Sequence, residues 1–479
     1  MNAIKLKIGY FNLFLLFLLI VLSSGCVEQH KNTYECINCS VILITLDSLR
    51  ADHLGAYGYY RNTSPNIDNL AKESYVFLDS ISQSGSTVYS LPALLTSKFP
   101  ISDNITNGFI LNEKEVTLAE ILKENGYDNY AVISHEFVSA KYGGSQGFKI
   151  FDDDYYGYGF ADLTAEKAIK MLNSISEKPF FLWIHFREPH APYNPPEKIF
   201  GLFNNETDSD NNTIKSGEDE RDYYKKKMEG LYAKNLSDKV NLTEYTLTGK
   251  RFYLNGEDIE WLTDAYDANI RFADEQVGIL LNELAVLNLT DNTIVIISSD
   301  HGESLGEHSI FDHNTLNYGT IHTPLIVHIP KNLGEIKEYP VSNLDIMPTI
   351  LKIIGINPPS GIRGKYLFDS NRTGYFQFAE YEDSWTIIED GWKMNAKDIS
   401  NKDCNIKIDK LFYIFDDPDE IFNLIAENTD RCNYLKNLGH SIKKNYSQTN
   451  YTLSERINET IQNASNDTIN KLKALGYVN

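Results

Sequence analysis

The segment IVIISSDHGESLGEHSIFDH, residues 294–313, indicates both the class of fold and the position of its site. Residues 294–297 are apolar, which predicts a short buried strand of a parallel sheet. Asp300 and His301 follow two serines, and a glycine then lets the backbone turn. One carboxylate and one imidazole at the carboxyl end of a strand can bind a divalent cation. Asp-His-Gly also occurs in ordinary turns, but the further acids and imidazoles up to His313 favour half of a metal site.

A second predicted strand, near the start of the chain, supplies the other half of this site. SVILITL, Ser40–Leu46, has the pattern of a buried strand, and Asp47 is the first polar residue after it. The carboxyl ends of parallel strands lie at one edge of a sheet, so Asp47 is predicted to lie near Asp300 and His301. Asp52 and His53 follow in a turn, where a solvated position is the simpler interpretation.

The alternation of strands and helices from Ser40 to about residue 359 predicts an α/β fold, with a mainly parallel central sheet and helices on both faces. Residues 371–479 are predicted to form a small C-terminal α+β subdomain. The predicted strands are Ser40–Leu46, 129–133, 179–184, 293–297, 325–329, 380–393 and 410–415. The predicted helices are 64–73, 117–124, 160–174, 261–286, 345–354 and 454–475.

Five blocks occur in chain order between residues 46 and 424. They are LDSLRADHLGAYGYYRNTSPNIDNLAKES, FFLWIHFREPHAPYNPP, DAYDANIRFADEQVGILLNEL, VSNLDIMPTILKIIGI and KLFYIFDDPDEIFNL. Together they resemble the sulfatase family of the alkaline-phosphatase superfamily. The resemblance implies an alkaline-phosphatase-like fold and a metal-dependent hydrolase of sulfuric or phosphoric esters, with residues 40–370 as the catalytic domain.

The nucleophile segment departs from the family pattern. Sulfatases carry Cys-x-Pro-x-Arg, whose Cys is oxidised to formylglycine, whereas SGSTVYSLPALLTSKFP here contains neither Cys nor Arg. Counting back from Thr96 places Thr87 at the nucleophile position. A competing register starts at Ser90 but leaves too few residues before Thr96. Formylglycine is therefore not expected, and Thr87 resembles the metal-bound Thr of relatives that transfer phosphoethanolamine or glycerol phosphate.

The predicted cofactor is one divalent metal ion: calcium, manganese, zinc or magnesium. A hydroxyl is a poor nucleophile at neutral pH, and contact with such an ion lowers its pKa and neutralises charge on the ester oxygens. The resemblance implies that this ion is held by Asp47, Thr87, Asp300 and His301. A second ion would need another carboxylate with two imidazoles, and no spacing demands one.

Other side chains are predicted to bind the anion or to protonate the leaving group. His190 and His313 resemble substrate-contacting positions of the family and are predicted to be catalytic. His308 is predicted to contact substrate. Arg50 is a candidate for the same role, with a salt bridge as the alternative. His185, inside an apolar run, is predicted to be a packed or supporting imidazole.

Composition limits the partners. The net charge is −22, from 44 basic and 66 acidic residues, which excludes a nucleic-acid partner. It does not exclude an anionic ester, because the local field of a metal can oppose the global charge. A cell-surface glycan or lipid is the expected carrier of that ester. Residues 200–255 are polar and charged, and are predicted to form an insertion or lid.

The N-terminus predicts export. Lysines precede an apolar run at residues 11–22, and SSGC ends at Cys26. Residues 1–26 are therefore interpreted as a lipoprotein signal with Cys26 acylated, and 27–39 as a tether. A retained signal-anchor helix is the alternative. Both interpretations place the protein at the outer face of the cytoplasmic membrane.

The remaining cysteines and the glycosylation sequons fit an exported protein. Cys36, Cys39, Cys404 and Cys432 are even in number and could form two disulfides. Cys404 with Cys432 is the favoured pair, and Cys36-x-x-Cys39 could instead be a redox or metal pair. Asn-x-Ser/Thr sequons recur along the chain, as an exported glycoprotein would have.

Three functions remain open from the sequence. The first is hydrolysis of sulfate or phosphate esters by a metal-activated Thr87. The second is phosphodiester cleavage or phosphotransfer, of the phosphoethanolamine or phosphoglycerol type, on surface glycans or lipids. The third is a non-catalytic sulfatase-like binding protein, motivated by the missing Cys and Arg.

Overall fold

The computed structural model describes residues 34–154, 160–175, 179–204, 243–247, 250–369, 372, 374–400 and 405–444. The chain divides into two compact units, Met1–Tyr34 and Glu35–Asn479, and the described residues belong to the second, apart from Tyr34. The predicted signal, Cys26 and the predicted helix at 454–475 lie outside the described residues. Among the described residues, no helix is long and apolar enough to cross a membrane.

The elements are numbered in chain order. The strands are β1 (Ser40–Leu46), β2 (Tyr75–Phe77), β3 (Ser80–Ile81), β4 (Thr106–Asn107), β5 (Ile110–Leu111), β6 (Asp128–Ile133), β7 (Ile150–Asp152), β8 (Phe180–Phe186), β9 (Thr243–Leu247), β10 (Lys250–Leu254), β11 (Thr293–Ser299), β12 (Ser304–Leu305), β13 (Phe311–Asp312), β14 (Leu325–His328), β15 (Ile336–Lys337), β16 (Val341–Ser342), β17 (Gln377–Tyr381), β18 (Ser384–Glu389), β19 (Trp392–Ser400) and β20 (Asn405–Tyr413). The α-helices are α1 (Pro65–Ala71), α2 (Thr87–Thr96), α3 (Leu118–Glu124), α4 (Ala161–Ser174), α5 (Glu197–Phe200), α6 (Gly256–Val286), α7 (Tyr318–Ile321), α8 (Ile346–Ile353) and α9 (Thr429–Lys444).

The central sheet has eight strands in the order β15-β2-β14-β11-β1-β8-β6-β7. Its middle strands are parallel, and Ile44 of β1 lies between Ile297 of β11 and Ile184 of β8. Strand β14 runs antiparallel to both of its neighbours. Every residue of β1 is buried, as expected of a strand covered on both faces. The prediction of a mainly parallel α/β sheet is confirmed.

Helices α4 and α6 pack on one face of this sheet. Ala165 and Leu262 belong to the same buried apolar cluster as Ile44 and Ile184. The sequence predicted a helix over 261–286, but α6 begins at Gly256. Its earlier start has a local cause: Asn255 accepts a hydrogen bond from the Asp258 backbone amide, and the Asp258 carboxylate accepts one from Asn255. This reciprocal capping box satisfies amide groups that a helix start otherwise leaves without partners.

Strands β17 to β20 form a separate antiparallel sheet in the C-terminal part of the chain. Helix α9 packs on it, with Leu435 and Trp385 in one buried cluster. The same cluster includes Ala93 of α2, so this sheet supports the helix that begins at Thr87. The predicted C-terminal α+β subdomain is confirmed. The single strand predicted over 380–393 is wrong in detail, because two turns divide that stretch among β17, β18 and β19.

The predicted insertion at 200–255 is described only at its two ends. Residues 205–242 lie outside the described residues, and β9 and β10 form an antiparallel hairpin just before α6. The lid therefore stays a prediction.

Candidate metal and active site

Four neighbouring strands of the central sheet deliver the site residues. Asp47 follows β1 directly, Asp300 follows β11 directly, His135 lies two residues after β6, and His190 lies four residues after β8. These strands are adjacent in the order β11-β1-β8-β6. Because they are parallel, their carboxyl ends lie at one edge, where α/β folds place their ligands.

The predicted ligands come together at this edge. Asp47, Asp300 and His301 offer atoms that all lie within 4.8 Å of one another. The Nε2 atom of His301 lies 3.8 Å from Asp47 Oδ1 and 3.4 Å from Asp300 Oδ2. Thr87 Oγ1 lies 3.0 Å from the same Nε2 atom. All four side chains are buried, so the structure assembles the set that the sequence proposed.

Hydrogen bonds orient these side chains. The Nδ1 atom of His301 lies 2.8 Å from the Gly302 carbonyl oxygen, to which it can donate, and this leaves Nε2 for the site. The backbone amide of Ser48 donates to Asp300 Oδ1 over 3.2 Å, and the Ser48 hydroxyl donates to Asp47 Oδ1 over 3.3 Å. Ser48 has a φ of 62°, a left-handed conformation that turns the chain directly after Asp47.

The donor set fits a divalent cation. Asp47 Oδ2 and Asp300 Oδ2 are buried and have no hydrogen-bond partner among the described residues. Burial, and then the charge of Asp47, raise the pKa of Asp300. Burial also opposes ionisation of Asp47, but His190 and His135 outweigh it and hold the pKa of Asp47 well below its ordinary value. Two adjacent buried carboxylates repel each other, and a bound cation would relieve that repulsion.

Thr87 is the first residue of α2, a ten-residue helix. The positive end of the helix dipole therefore lies at its hydroxyl, where an anionic ester would bind. Ser90, the competing nucleophile, lies one turn further along, and its buried hydroxyl has no hydrogen-bond partner among the described residues. The geometry favours Thr87.

His190 and His313 lie beside this group. Their ring centroids are 4.7 Å apart, and the ring of His313 stacks on that of His301 at 4.8 Å. The Nδ1 atom of His313 approaches Glu303 at 3.5 Å and Asp312 at 3.3 Å. Burial opposes protonation of His313, yet the neighbouring carboxylates of Glu303 and Asp312 raise its pKa to about 9. His313 is thus a cation at neutral pH.

His135 was missed from the sequence. Its ring centroid lies 5.7 Å from that of His190, and its Nε2 atom lies 3.8 Å from Asp47 Oδ2. Burial lowers the pKa of His135 to about 3, so its imidazole is neutral. The signal that could have found it is the one used for Asp47: a polar residue just past the carboxyl end of a buried strand. His185 was predicted to be a packed or supporting imidazole. Its Nδ1 atom forms a 2.9 Å hydrogen bond with Thr45 Oγ1.

Arg50, a candidate for substrate contact with a salt bridge as the alternative, is bound by protein oxygens. Its guanidinium donates to Asp52 over 2.8 and 2.9 Å, to the Glu303 carbonyl oxygen over 3.1 Å and to Glu307 over 2.6 Å. These protein oxygens engage the donors of the buried guanidinium, which favours the salt-bridge alternative, and substrate contact by Arg50 stays a prediction. The network connects the loop after β1 to the loop after β11.

Arg50→Ala is expected to reduce stability rather than substrate affinity. Its guanidinium is only 6% exposed, but the carboxylates of Asp52 and Glu307 are 52% and 27% exposed and can be hydrated once it is removed. The loss of its charged hydrogen bonds should therefore cost about 1.5–3 kcal/mol. Urea denaturation measures this cost, and KM is expected to change little in the folded protein. The control is Arg271→Ala, whose guanidinium is 19% exposed and pairs with an exposed Glu275, and it should cost less than about 1 kcal/mol. A raised KM at unchanged stability would instead return Arg50 to the substrate site.

His308 is also not brought to the metal-ligand group. Its Nε2 atom lies 3.8 Å from Glu420, a residue that also pairs with the buried Lys393. This pairing ties the loop after β12 to the C-terminal segment. The substrate contact of His308 stays a prediction.

Cys36 and Cys39 form a disulfide, which is one of the roles left open for that pair. Cys432 is a buried thiol. Its predicted partner Cys404 lies outside the described residues, so the Cys404–Cys432 disulfide stays a prediction. Cys432 packs with Leu435 in the apolar cluster under α9.

Comparison with known proteins agrees with this fold. Residues 40–356 match the family described as Sulfatase, and residues 306–460 match the C-terminal region of N-sulphoglucosamine sulphohydrolase. The N-acetylglucosamine-6-O-sulfatase of Bacteroides thetaiotaomicron is 25% identical over 437 residues, covering 75% of this chain and 77% of that protein. The arylsulfatase of Clostridium perfringens is 23% identical over 471 residues, covering 83% and 93%.

A solved structure has the same fold. BT4656, in complex with its substrate D-glucosamine-2-N,6-O-disulfate, superposes with a TM-score of 0.67 at 20% identity, covering 86% of this chain and 99% of that one. The protein described here is thus an α/β hydrolytic enzyme of the alkaline-phosphatase-like type. The chain belongs to the sulfatase family, and the predicted family and enzyme class are confirmed.

Proposed function

We propose that the protein is a metal-dependent hydrolase of sulfate or phosphate esters that uses Thr87 as its nucleophile. The observation that carries the proposal is the contact of 3.0 Å between Thr87 Oγ1 and His301 Nε2, beside Asp47 and Asp300. A hydroxyl, two carboxylates and one imidazole converge there in a buried space. This set suits a hard or borderline divalent cation.

Each side chain then has a distinct role. A divalent cation bound by Asp47, Thr87, Asp300 and His301 would lower the pKa of the hydroxyl and neutralise charge on the ester oxygens. Thr87 releases its hydroxyl proton to solvent and attacks sulfur or phosphorus, and the bond to the leaving oxygen breaks. His313, protonated at neutral pH, donates a proton to that oxygen, while His190 orients the anion. Water then attacks the same sulfur or phosphorus, gives one proton to the now neutral His313, and the bond to Thr87 Oγ1 breaks, which releases the anion and restores Thr87 with a proton from solvent.

The relatives favour sulfated sugars as substrates. The relative from Bacteroides thetaiotaomicron is named an N-acetylglucosamine-6-O-sulfatase. The structure of BT4656 contains a disulfated glucosamine as its substrate. A sulfate ester of a cell-surface or extracellular glycan is therefore the first substrate class that we propose.

Thr87 itself supports a second candidate, phosphodiester cleavage or phosphotransfer. Threonine has a single hydroxyl, so its covalent ester can be opened only by attack at sulfur or phosphorus. An acceptor hydroxyl of a glycan or lipid can make this attack in place of water. Phosphotransfer differs from sulfate-ester hydrolysis in two respects only: a glycan or lipid hydroxyl replaces water as the acceptor, and phosphorus replaces sulfur as the atom attacked.

Export is part of the proposal. The charged start, apolar run and SSGC ending at Cys26 support an acylated protein at the outer face of the cytoplasmic membrane. The disulfide between Cys36 and Cys39 supports an oxidising compartment. The mass of the N-terminal peptide of protein isolated from membranes tests this point, because a diacylglyceryl group on Cys26 has a defined mass.

A paired substrate panel tests the activity. The full chain is depleted with a chelator, reloaded with calcium, manganese, zinc or magnesium, and assayed on aryl sulfate, aryl phosphate and aryl phosphodiester, and on sulfated glucosamine. Metal-dependent turnover is expected, and an adduct on the Thr87 peptide, looked for with each substrate separately, identifies sulfuryl or phosphoryl transfer. Absence of turnover, adduct and bound metal would leave a sulfatase-like binding protein.

The role of His313 as proton donor predicts that activity falls at high pH, where His313 loses its proton. Its pKa is about 9 in the folded protein, so kcat/KM is expected to fall as pH rises through about 9. His313→Gln should lower kcat by about 10²–10⁴-fold and remove this fall at high pH. The folded pKa exceeds the ordinary 6.5, so the stability that protonation contributes is complete below pH 6.5 and is lost as pH rises towards about 9.

Glu303→Gln provides a matched control for this assignment. It keeps a polar partner at His313 Nδ1 but removes the carboxylate that raises its pKa. The fall in kcat/KM should then occur at a lower pH, although His313 itself is retained. A fall that stays near pH 9 in both variants would exclude His313 as its source.

A further inference from the structure

A cavity separate from the proposed active site lies between the central sheet domain and the C-terminal sheet. Its volume is about 230 Å³, which is room for about eight water molecules at about 30 Å³ each. Its lining includes Leu344 shortly after β16, Phe378 of β17 and Ile442 of α9. Neither the metal-ligand residues nor His190 and His313 border it. The cavity therefore has no part in the proposed function.

Aromatic rings form much of the cavity wall. They belong to Phe99, Tyr375, Phe376 and Phe378. The rings of Phe99 and Phe378 meet edge to face, with their centroids 5.0 Å apart. Such walls favour a flat, apolar body, because an aromatic ring gains edge-to-face or stacking contacts when it enters. A ligand of this cavity is therefore expected to contain an aromatic ring.

Gln83 supplies a polar group at the buried end of the cavity. The residue is 1% exposed, and neither its Nε2 nor its Oε1 atom has a hydrogen-bond partner among the described residues. Buried amide groups are normally paired, and leaving one without a partner is costly. A hydroxyl group on a ligand can donate to Oε1 or accept from Nε2. The buried end therefore fits a hydroxyl group.

Lys365 supplies a positive charge at the open end of the cavity. It is an exposed residue of the lining, and its Nζ atom lies 5.2 Å from the centroid of the Tyr375 ring. This ammonium group forms no ion pair with a residue of the described chain. A carboxylate at the mouth of the cavity would therefore meet a cation whose charge the protein does not neutralise.

The neighbouring charges leave this cation unopposed. None of the described residues that line the cavity is acidic. Arg363, the other cation of the lining, is paired with Asp103. Asp345 accepts a hydrogen bond from the Lys365 backbone amide, but its carboxylate is paired with Arg372 over 2.6 Å. One positive charge remains, and it favours an anion over a neutral or cationic ligand.

We propose that this cavity binds a small aromatic carboxylate whose ring carries a hydroxyl group. The ring lies between the aromatic walls, the hydroxyl group bonds the Gln83 amide, and the carboxylate pairs with Lys365. Gln83 lies four residues before Thr87, and Phe99 lies three residues after the end of α2. A ligand there would contact the chain on both sides of the nucleophile helix, without occupying the active site. Binding requires no metal, so the inference goes beyond the proposed function and does not depend on it.

Isothermal titration calorimetry of the full chain, depleted of metal with a chelator, tests the site with three matched probes. Para-hydroxyphenylacetate carries both polar groups, phenylacetate lacks the hydroxyl, and tyrosol has an alcohol in place of the carboxylate. Para-hydroxyphenylacetate is expected to bind saturably at one equivalent per chain. Phenylacetate should bind about 2–10-fold more weakly, and tyrosol at least about tenfold more weakly, because a charged hydrogen bond is the stronger of the two.

Two variants assign the contacts. Lys365→Gln should weaken binding of para-hydroxyphenylacetate at least about tenfold and leave tyrosol unchanged. Gln83→Leu should abolish the preference for para-hydroxyphenylacetate over phenylacetate. The matched control is Lys352→Gln, because Lys352 also lies over a tyrosine, 5.1 Å from the centroid of the Tyr366 ring, but does not line the cavity. Its affinity for all three probes should equal that of the wild type. Circular dichroism checks the fold of Gln83→Leu, and the exposed Lys365 provides the test if that variant fails to fold.

Three results would overturn the inference. The first is the absence of saturable binding by all three probes. The second is binding that neither Lys365→Gln nor Gln83→Leu changes. The third is binding that His313→Gln abolishes and Lys365→Gln retains, which would place the probe at the catalytic group. Because the titration uses metal-free protein, failure of the proposed hydrolysis would leave its result intact, and the reverse also holds.

Discussion

Replacing Thr87 with alanine is expected to abolish turnover, with kcat/KM falling at least about 10³-fold, as when a covalent nucleophile is removed. Thr87 Oγ1 is the hydroxyl that touches the group formed by Asp47, Asp300 and His301. Its loss removes the atom that forms the covalent ester. Intact-protein mass spectrometry during turnover should show a sulfuryl or phosphoryl adduct in the wild type and none in the variant.

Ser90→Ala is the matched control for this experiment. Ser90 lies on the same helix and is equally buried, but it makes no hydrogen bond to the metal-ligand group. The variant should retain the adduct and nearly all of its turnover. If the adduct survives in Thr87→Ala and disappears in Ser90→Ala, the competing register is correct and the assignment of Thr87 is wrong.

Asp300→Asn is expected to have opposite effects on stability with and without metal. Burial and the charge of Asp47 raise the pKa of Asp300, so ionised Asp300 destabilises the metal-free protein as pH rises above its ordinary pKa. The amide removes this repulsion, and the Tm of chelated protein should rise. The wild type should gain about 2.7 kcal/mol when free metal is 100-fold above Kd, and the variant should lose most of that gain together with its activity.

Thermal unfolding with chelator and with added metal measures both effects. Asp274→Asn is the control, because Asp274 is another buried carboxylate with a pKa raised by burial, to about 6, and lies away from this group, bonded to Asn66 and Ile67. It should keep the metal-dependent shift in Tm. An Asp300→Asn protein that still responds to metal like the wild type would contradict the proposed ligand set.

The sequence predicted those site residues whose positions follow from a strand pattern. Asp47 and Asp300 each follow a strongly apolar strand, so the parallel sheet alone brings them together. The contact of Thr87 with His301 could not be derived this way, because it depends on how α2 packs against the C-terminal sheet through Ala93. The contact of Arg50 with Glu307 could not be derived either, because the two residues are distant in sequence and periodicity carries no information about such a pair.

The errors elsewhere have similar causes. His135 stands alone after β6, without the neighbouring acids that drew attention to His301. Helix α9 was not predicted, because most of its residues are polar and only a few, such as Leu435, pack on the sheet. The capping box at Asn255 was readable in the sequence, but a boundary based on apolar spacing begins later than one based on capping.

The donor atoms of the site come from parts of the chain that are hundreds of residues apart, and the adjacent ends of β11, β1, β8 and β6 hold most of them. No short segment of the chain carries a complete set, so an unfolded or half-made chain has little affinity for the ion. Binding energy is therefore available only after the sheet has closed. Which ion the protein acquires then depends on the metals present in the compartment where folding finishes, as well as on the preferences of the ligands.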